Sequence, residues 1–220
     1  MIFNVAGILT PEQLSTIRDS LAREAATFSS GKATAGWYAK EVKHNEQSQG
    51  PAAQTAMEIV RTALLADGIF KSAARPKAFV KLLVSRYTPG MAYGAHVDDA
   101  LMGGVRTDMS FTLFLTDPAT YLGGELVIDG TNGETEVKLD AGSLVLYPTT
   151  ALHHVAEVTS GERLAIVGWV RSFIRSSEQR ESLFELDQVV ATMRGAGADR
   201  QIIDQVFKVR NTLTRMWAED

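Results

Sequence analysis

Glu134-Thr135-Glu136-Val137-Lys138-Leu139-Asp140-Ala141-Gly142-Ser143-Leu144-Val145-Leu146-Tyr147-Pro148 is the stretch on which the fold turns. Its first six residues alternate polar and apolar late in their length, the pattern of a half-buried strand. Asp140-Ala141-Gly142 supplies a turn, 143–147 is a short apolar run of strand formers, and Pro148 stops it. The same texture repeats on both sides. Upstream it recurs at 79–84 (closed by Thr88-Pro89-Gly90), at 108–115 and at 125–128; downstream it recurs at 153–158 and 163–171. Asp117-Pro118, Gly123-Gly124, Asp129-Gly130, Asn132-Gly133 and Ser160-Gly161 punctuate these runs. Short strands separated by such turns predict an all-β sandwich or barrel.

Helical spacing flanks this region. Thr10 can cap a first helix, Pro11 suits its first position, and Gln13 completes a capping box. Leu14, Ile17, Leu21, Ala25 and Phe28 then share a face, and Gly31 is the expected stop. A second helix is expected over 51–66, with Met57, Val60 and Leu64 on one face and Asp67-Gly68 ending it. After Arg175, Leu183, Leu186, Val190 and Met193 form one stripe. Beyond Gly195-Ala196-Gly197, Ile202, Ile203, Val206, Val209, Leu213 and Trp217 form another. Two helices packing on the sheet or on a partner chain, as in a homodimer, are expected. The organisation is therefore an N-terminal helical region over 1–76, a β core over 77–177 and a C-terminal helical segment over 178–220.

Composition narrows the function. The 220 residues are 45% hydrophobic and 22% charged, the balance of an ordinary soluble globular protein. A formal net charge of −4 gives no electrostatic reason to expect nucleic acid or an anionic membrane as partner. With no cysteine there is no disulfide framework, thiolate metal site or cysteine nucleophile. No apolar run approaches the roughly 18 residues of a membrane span, and the opening Met1-Ile2-Phe3-Asn4-Val5-Ala6-Gly7 lacks a secretory pattern. A cytoplasmic protein is expected.

The chemistry concentrates in few residues. Of four histidines, His96 stands two positions before Asp98. In an extended segment residues i and i+2 point the same way, so the two side chains can converge. His153 or His154, on a strand far down the chain, can supply a third ligand. Two histidines and a carboxylate on one face leave coordination positions open, which suits Fe(II); zinc accepts the same ligands but has no use for so many open positions. Arg163 lies ten residues after His153, beside Leu164-Ala165-Ile166-Val167-Gly168-Trp169. Facing a barrel interior it would need an anion, and its planar fork suits a carboxylate. On position alone it reads equally as a surface arginine opening a strand.

Taken together, Arg86-Tyr87, His96-Val97-Asp98, Arg106-Thr107-Asp108, Thr112-Leu113-Phe114-Leu115, Gly123-Gly124-Glu125-Leu126, the 141–148 run, Leu152-His153-His154-Val155 and Arg163 resemble the PKHD-type hydroxylases. These are bacterial relatives of prolyl hydroxylases among the 2-oxoglutarate/Fe(II) dioxygenases. The likeness extends nearly end to end and includes 42–47 and Leu183-Phe184-Glu185-Leu186-Asp187. It implies a double-stranded β-helix (jelly-roll) core with His96, Asp98 and His153 as metal ligands. It also implies Arg163 as co-substrate anchor and Tyr87 as a co-substrate contact. The implied cofactors are Fe(II), 2-oxoglutarate and O2, with L-ascorbate a further candidate. The implied reaction is hydroxylation of a peptide or small molecule, coupled to decarboxylation of 2-oxoglutarate to succinate and CO2. The presence of Asp98 favours hydroxylation over halogenation, since halogenating relatives lack that carboxylate.

Two rival readings stand beside this one: a cupin-like metal enzyme that needs no 2-oxoglutarate, and a sensor that binds iron or 2-oxoglutarate without turnover. Trp169 reads as core or pocket wall, and Lys43, His44 and Asn45 as a loop or as a border of the active-site mouth. Met102-Gly103-Gly104-Val105 reads as a surface loop or a mobile lid, and Gly123-Gly124 as a tight turn.

Overall fold

A computed structural model describes residues 2–130 and 132–219; Met1 and Asp220, at the ends of the expected outer segments, and Thr131 lie outside the described residues. Two antiparallel sheets form the core. The larger has seven strands, in the order Phe3–Val5, Leu144–Pro148, Met109–Phe114, Arg163–Ser172, Pro76–Tyr87, Glu46–Ser48 and Ser29–Ser30. The smaller has five, in the order Gly133–Val137, Leu126–Gly130, His153–Val155, Ala92–His96 and Lys43–His44. Apart from the hairpin of Leu126–Gly130 with Gly133–Val137, strands adjacent in these two sheets are distant in sequence, so the chain crosses repeatedly between the two layers.

Alternation along the long strands divides the interior in two. Leu82, Val84, Leu164 and Ile166 face outward with Phe111, Leu113, Leu144 and Leu146 and pack under helices α1 (Pro11–Arg23), α2 (Pro51–Ala66) and α3 (Gly68–Ala74). Val60, Leu64 and Phe70 fill that layer and are wholly buried. The opposite positions, Tyr87, Phe114, Val145 and Tyr147, face the smaller sheet and meet Leu126, Ile128, Val137 and Val155. Removing a wholly buried leucine such as Leu64 from such a core costs about 2–5 kcal/mol.

Several boundaries differ from the sequence reading. Thr10 and Gln13 form the expected capping box, but α1 ends at Arg23, well before Gly31. Glu24 leaves helical geometry and its carboxylate accepts the Ala52 backbone N–H at 2.9 Å, capping the start of α2. Phe28 reaches the core from the extended segment beyond a short 3₁₀ turn. Asp67-Gly68 does end α2, but Asp67 also caps α3 through Phe70 N–H, a helix the periodicity did not disclose. Seven residues, about two turns, carry too little apolar period to register. The expected strand over 153–158 is two short pieces, His153–Val155 and Val158–Ser160, pairing with different partners.

At the C-terminus two helices form as expected, α4 (Ser177–Gly195) and α5 (Arg200–Trp217). α4 packs on α3 and on the sheet edge, where Phe184 meets Phe3 edge-on at 4.7 Å between ring centroids. α5 rests on α4 and buries no residue completely.

Candidate active site

Ala92–His96 and His153–Val155 are neighbours in the smaller sheet, and their register sets His153 opposite His96. The two imidazole centroids are 4.4 Å apart. Asp98 follows two residues after His96, just past the end of the strand. It lies between the two rings: Oδ1 is 3.8 Å from His96 Nε2 and Oδ2 is 3.8 Å from His153 Nε2. One donor atom from each residue falls within 4.8 Å of the others. These separations exceed a hydrogen bond and match three ligands about 2.0–2.2 Å from a common ion.

The surroundings orient the three groups. His96 Nδ1 lies 2.8 Å from the Gly94 carbonyl, and His153 Nδ1 lies 3.0 Å from the Ala151 carbonyl. A carbonyl only accepts, so each Nδ1 carries the proton and each Nε2 lone pair faces the gap. Burial, then the neighbouring His153, pushes the His96 pKa down to about 4 against the opposing pull of Gly94 and Asp98. The ring is thus neutral at pH 7, the state a metal ligand requires. Ser110 Oγ donates to Asp98 Oδ2 at 2.7 Å and stands 3.1 Å from Thr149 Oγ1. Tyr93 stacks on His96 with centroids 3.7 Å apart, and Tyr147 sits edge-on to His153 at 5.1 Å.

Arg163 opens the long strand of the larger sheet, opposite Tyr87. It is 1% exposed, and its Cζ lies 5.1 Å from the Tyr87 ring centroid and 5.3 Å from that of Phe114. Among the described residues none of its three guanidinium nitrogens has a hydrogen-bond partner. A wholly buried, unpaired cation is costly by several kcal/mol unless an anion reaches it. Burial raises the Tyr87 pKa, against Arg163 and hydrogen bonds to Ser85 and Asn45, so its hydroxyl keeps its proton. Gly124 stands behind this arginine at φ +71°, and a Cβ there would lie 2.9 Å from Arg163 Cδ. The tight turn at Gly123-Gly124 therefore also makes room for the guanidinium stem.

His96, Asp98, His153, Arg163 and Tyr87 line one cavity of about 290 Å³. Lys43, Asn45 and Trp169 line it too, so these side chains are part of the pocket rather than of a loop or plain core. His44 is exposed and meets only the Gly90 carbonyl with its ring, at 3.1 Å. His154 neighbours His153 on the strand and does not line the cavity. Met102 and Gly103 border it from a small hairpin, Leu101–Met102 with Val105–Arg106. The sequence reading did not pick out Ser110, Thr149, Tyr93 or Tyr147. A signal for Ser110 existed: in Met109-Ser110-Phe111-Thr112-Leu113-Phe114 the two hydroxyls alternate within a strand that is buried throughout.

Comparison with known proteins points the same way. Residues 82–171 match the family model of the 2OG-Fe(II) oxygenase superfamily. The chain is 51% identical to a PKHD-type hydroxylase of Maricaulis maris and 49% identical to one of Parvibaculum lavamentivorans, with 100% of each chain covered. Among solved structures it resembles a Pseudomonas putida prolyl-4-hydroxylase (TM-score 0.56, 23% identity), covering 78% of this chain and 92% of that one. It also resembles a Trichoplax adhaerens prolyl hydroxylase in complex with a peptide fragment (TM-score 0.62, 14% identity), covering 83% and 86%. At these identities the structural likeness shows a shared double-stranded β-helix fold. The full-length relatives show more: the chain belongs to the PKHD-type hydroxylase family of Fe(II)- and 2-oxoglutarate-dependent dioxygenases.

Proposed function

We propose that His96, Asp98 and His153 hold the iron and that Arg163, with Tyr87 beside it, holds the far carboxylate of 2-oxoglutarate. The observation that carries this reading is the Arg163 guanidinium, fully buried and without a hydrogen-bond partner among the described residues, in the cavity that also contains the His-Asp-His cluster. Two imidazoles and one carboxylate suit Fe(II) with positions left open. A planar cation between two aromatic rings suits a carboxylate held by two parallel hydrogen bonds. When bound, the iron and keto acid supply the oxidising chemistry that couples release of succinate and CO2 to hydroxylation.

The chain supplies orientation and exclusion of water. The Gly94 and Ala151 carbonyls fix the two histidine tautomers, and Ser110 turns Asp98 toward the gap. Tyr147, whose pKa burial raises well above the ordinary tyrosine value, stays a neutral wall beside His153. The substrate is a peptide or small molecule. Residues 77–177 are the catalytic core, with 1–76 and 178–220 packed on it. L-ascorbate is the reductant for the iron, and the address is cytoplasmic, where reducing conditions keep iron ferrous. Exposed Ile202, Val209 and Met216 on α5 support a homodimer, which light scattering would read.

Anaerobic titration of Fe(II) into purified protein with 2-oxoglutarate tests the site. A weak visible charge-transfer band should need both components and vanish in His153→Ala. A folded wild type that gives no band would move a cupin-like site, without keto acid, to the front. A band with no succinate formed under O2 in the presence of any substrate would favour a sensor.

A further inference from the structure

The cavity contains more positive charge than iron and 2-oxoglutarate use. Lys43 is 4% exposed, and its ammonium donates to the neutral Thr34 hydroxyl at 3.1 Å. It lies 5.0 Å above the Tyr93 ring, which itself stacks on His96. The same aromatic ring therefore borders both this ammonium and a proposed metal ligand. Lys81 lines the same cavity from the other layer. The register of the larger sheet sets Ser110, Trp169 and Lys81 side by side across three strands. Cross-strand neighbours point to one face, so the row starts at the serine that touches Asp98 and ends at Lys81, about 10 Å away. In the middle of the row the Trp169 indole N–H is buried and has no hydrogen-bond partner among the described residues.

The carboxylates nearby do not answer these donors. Asp98 attracts Lys43 but is committed to the metal in the loaded enzyme. Asp99 also lines the cavity, yet it is exposed to solvent at the rim. Burial, with repulsion from Lys81, brings the Lys43 pKa down to about 8, which leaves it protonated at neutral pH. Closing a neutral substrate over two ammoniums and an indole N–H would leave all three uncompensated, whereas a carboxylate would pair with them.

We propose that the molecule hydroxylated here is an acid, whose carboxylate is held between Lys43 and Lys81 with Trp169 Nε1 donating alongside. This inference rests on the iron and 2-oxoglutarate reading above. A carboxylate at this place could also come from the keto-acid end of 2-oxoglutarate itself, and the test separates the two sources.

Protein loaded anaerobically with Fe(II) and 2-oxoglutarate is titrated with a panel of N-acetyl amino acids as free acids and as matched C-terminal amides. Calorimetry reads binding, and the charge-transfer band reads approach to the iron. At least one acid should bind 10-fold or more tightly than its amide. Lys81→Met, at a partly exposed position, should remove that preference while leaving 2-oxoglutarate affinity within threefold. Lys43→Met, checked for folding by circular dichroism, should do the same. Equal binding of acids and amides, or no binding of any acid to loaded wild type, would overturn the inference. A 10-fold loss of 2-oxoglutarate affinity in Lys81→Met would assign the lysines to the co-substrate and overturn it as well. Failure of wild type to form the iron–keto-acid band is seen before any acid is added; it sinks the underlying reading, and this inference with it.

Discussion

Two arginine environments in this protein, one at the C-terminal helices and one in the β core, differ in kind. Beneath the C-terminal helices, Arg75 and Arg210 both meet Asp187, each at 2.7 Å, and Ser72 donates to the same carboxylate. That cluster joins α3, α4 and α5, and its cations are paired with a carboxylate of the chain, although Arg75 Nε has no hydrogen-bond partner among the described residues. In the β core Arg163 is more deeply buried and has no partner among the described residues. A fold that supplies a carboxylate to one set of arginines and withholds it from another has left the second to a ligand. The contrast separates charge that stabilises from charge that binds.

The sharpest way to break that distinction is to remove the charge from each side. Arg163→Met should weaken 2-oxoglutarate binding a few hundredfold, since two charge-assisted hydrogen bonds are worth about 3–4 kcal/mol together. It should leave the stability of ligand-free protein unchanged or higher, because an unpaired buried charge is replaced by an apolar chain. Calorimetric titration and urea unfolding read the two quantities separately. A marked loss of stability would mean that Arg163 has a structural partner, and the contrast would fail.

The converse change is Asp187→Asn. It leaves two arginines facing a neutral amide at a site that is only a fifth exposed, so the fold should lose about 2–3 kcal/mol. Affinity for 2-oxoglutarate should stay within threefold. Coupled loss of both would show that the helical cluster shapes the cavity, and the two regions would no longer be independent.

A smaller effect is expected inside the site. Ser110→Ala removes the hydroxyl that donates to Asp98. Loss of such an outer hydrogen bond typically lowers metal affinity about 10–100-fold, with no effect on 2-oxoglutarate affinity measured at saturating Fe(II). Unchanged iron affinity would mean that Asp98 is held by its backbone position alone.

The same contrast explains what could be read from the sequence. The strands at 108–115, 143–147 and 163–171 announced themselves because each is short, apolar and bounded by turn residues. The thirteen residues of α1 and sixteen of α2 carried enough period to be seen, and the seven of α3 did not. His96 and Asp98 are neighbours in the chain, so their convergence was legible locally, although Asp98 lies past the strand rather than on it. His153 and Arg163 stand out only through the family resemblance, because neither burial nor partner can be read from position. Ser110, Thr149, Tyr93 and Tyr147 come from separate strands and turns, and only the register of two sheets brings them to the ligands. The Asp187 cluster was hidden for the same reason, since Ser72, Arg75 and Arg210 meet that residue across three helices.

The two regions should also fail at different acidities. His96 is held neutral by burial and by His153, with its pKa pushed from the ordinary value near 6.5 down to about 4. In the unfolded chain this histidine takes up a proton as pH falls below about 6.5, while in the folded protein it does not. The metal-free fold therefore loses stability as pH drops from about 6.5 toward about 4. Asp187 behaves otherwise. Burial raises its pKa, but hydrogen bonds from Arg210 and Ser72 and the charges of Arg75 and Arg210 outweigh it and leave the net value lowered. Its contribution is complete above the ordinary carboxylate value and is lost only as pH falls below about 4. Urea unfolding of metal-free protein at pH 7, 4 and 3 can separate these windows. His96→Ala should flatten the fall between pH 7 and 4 and largely leave the later one, and Asp187→Asn should do the reverse. If both variants flattened the same step, one set of groups would govern both regions, and the independence inferred from their arginines would be lost.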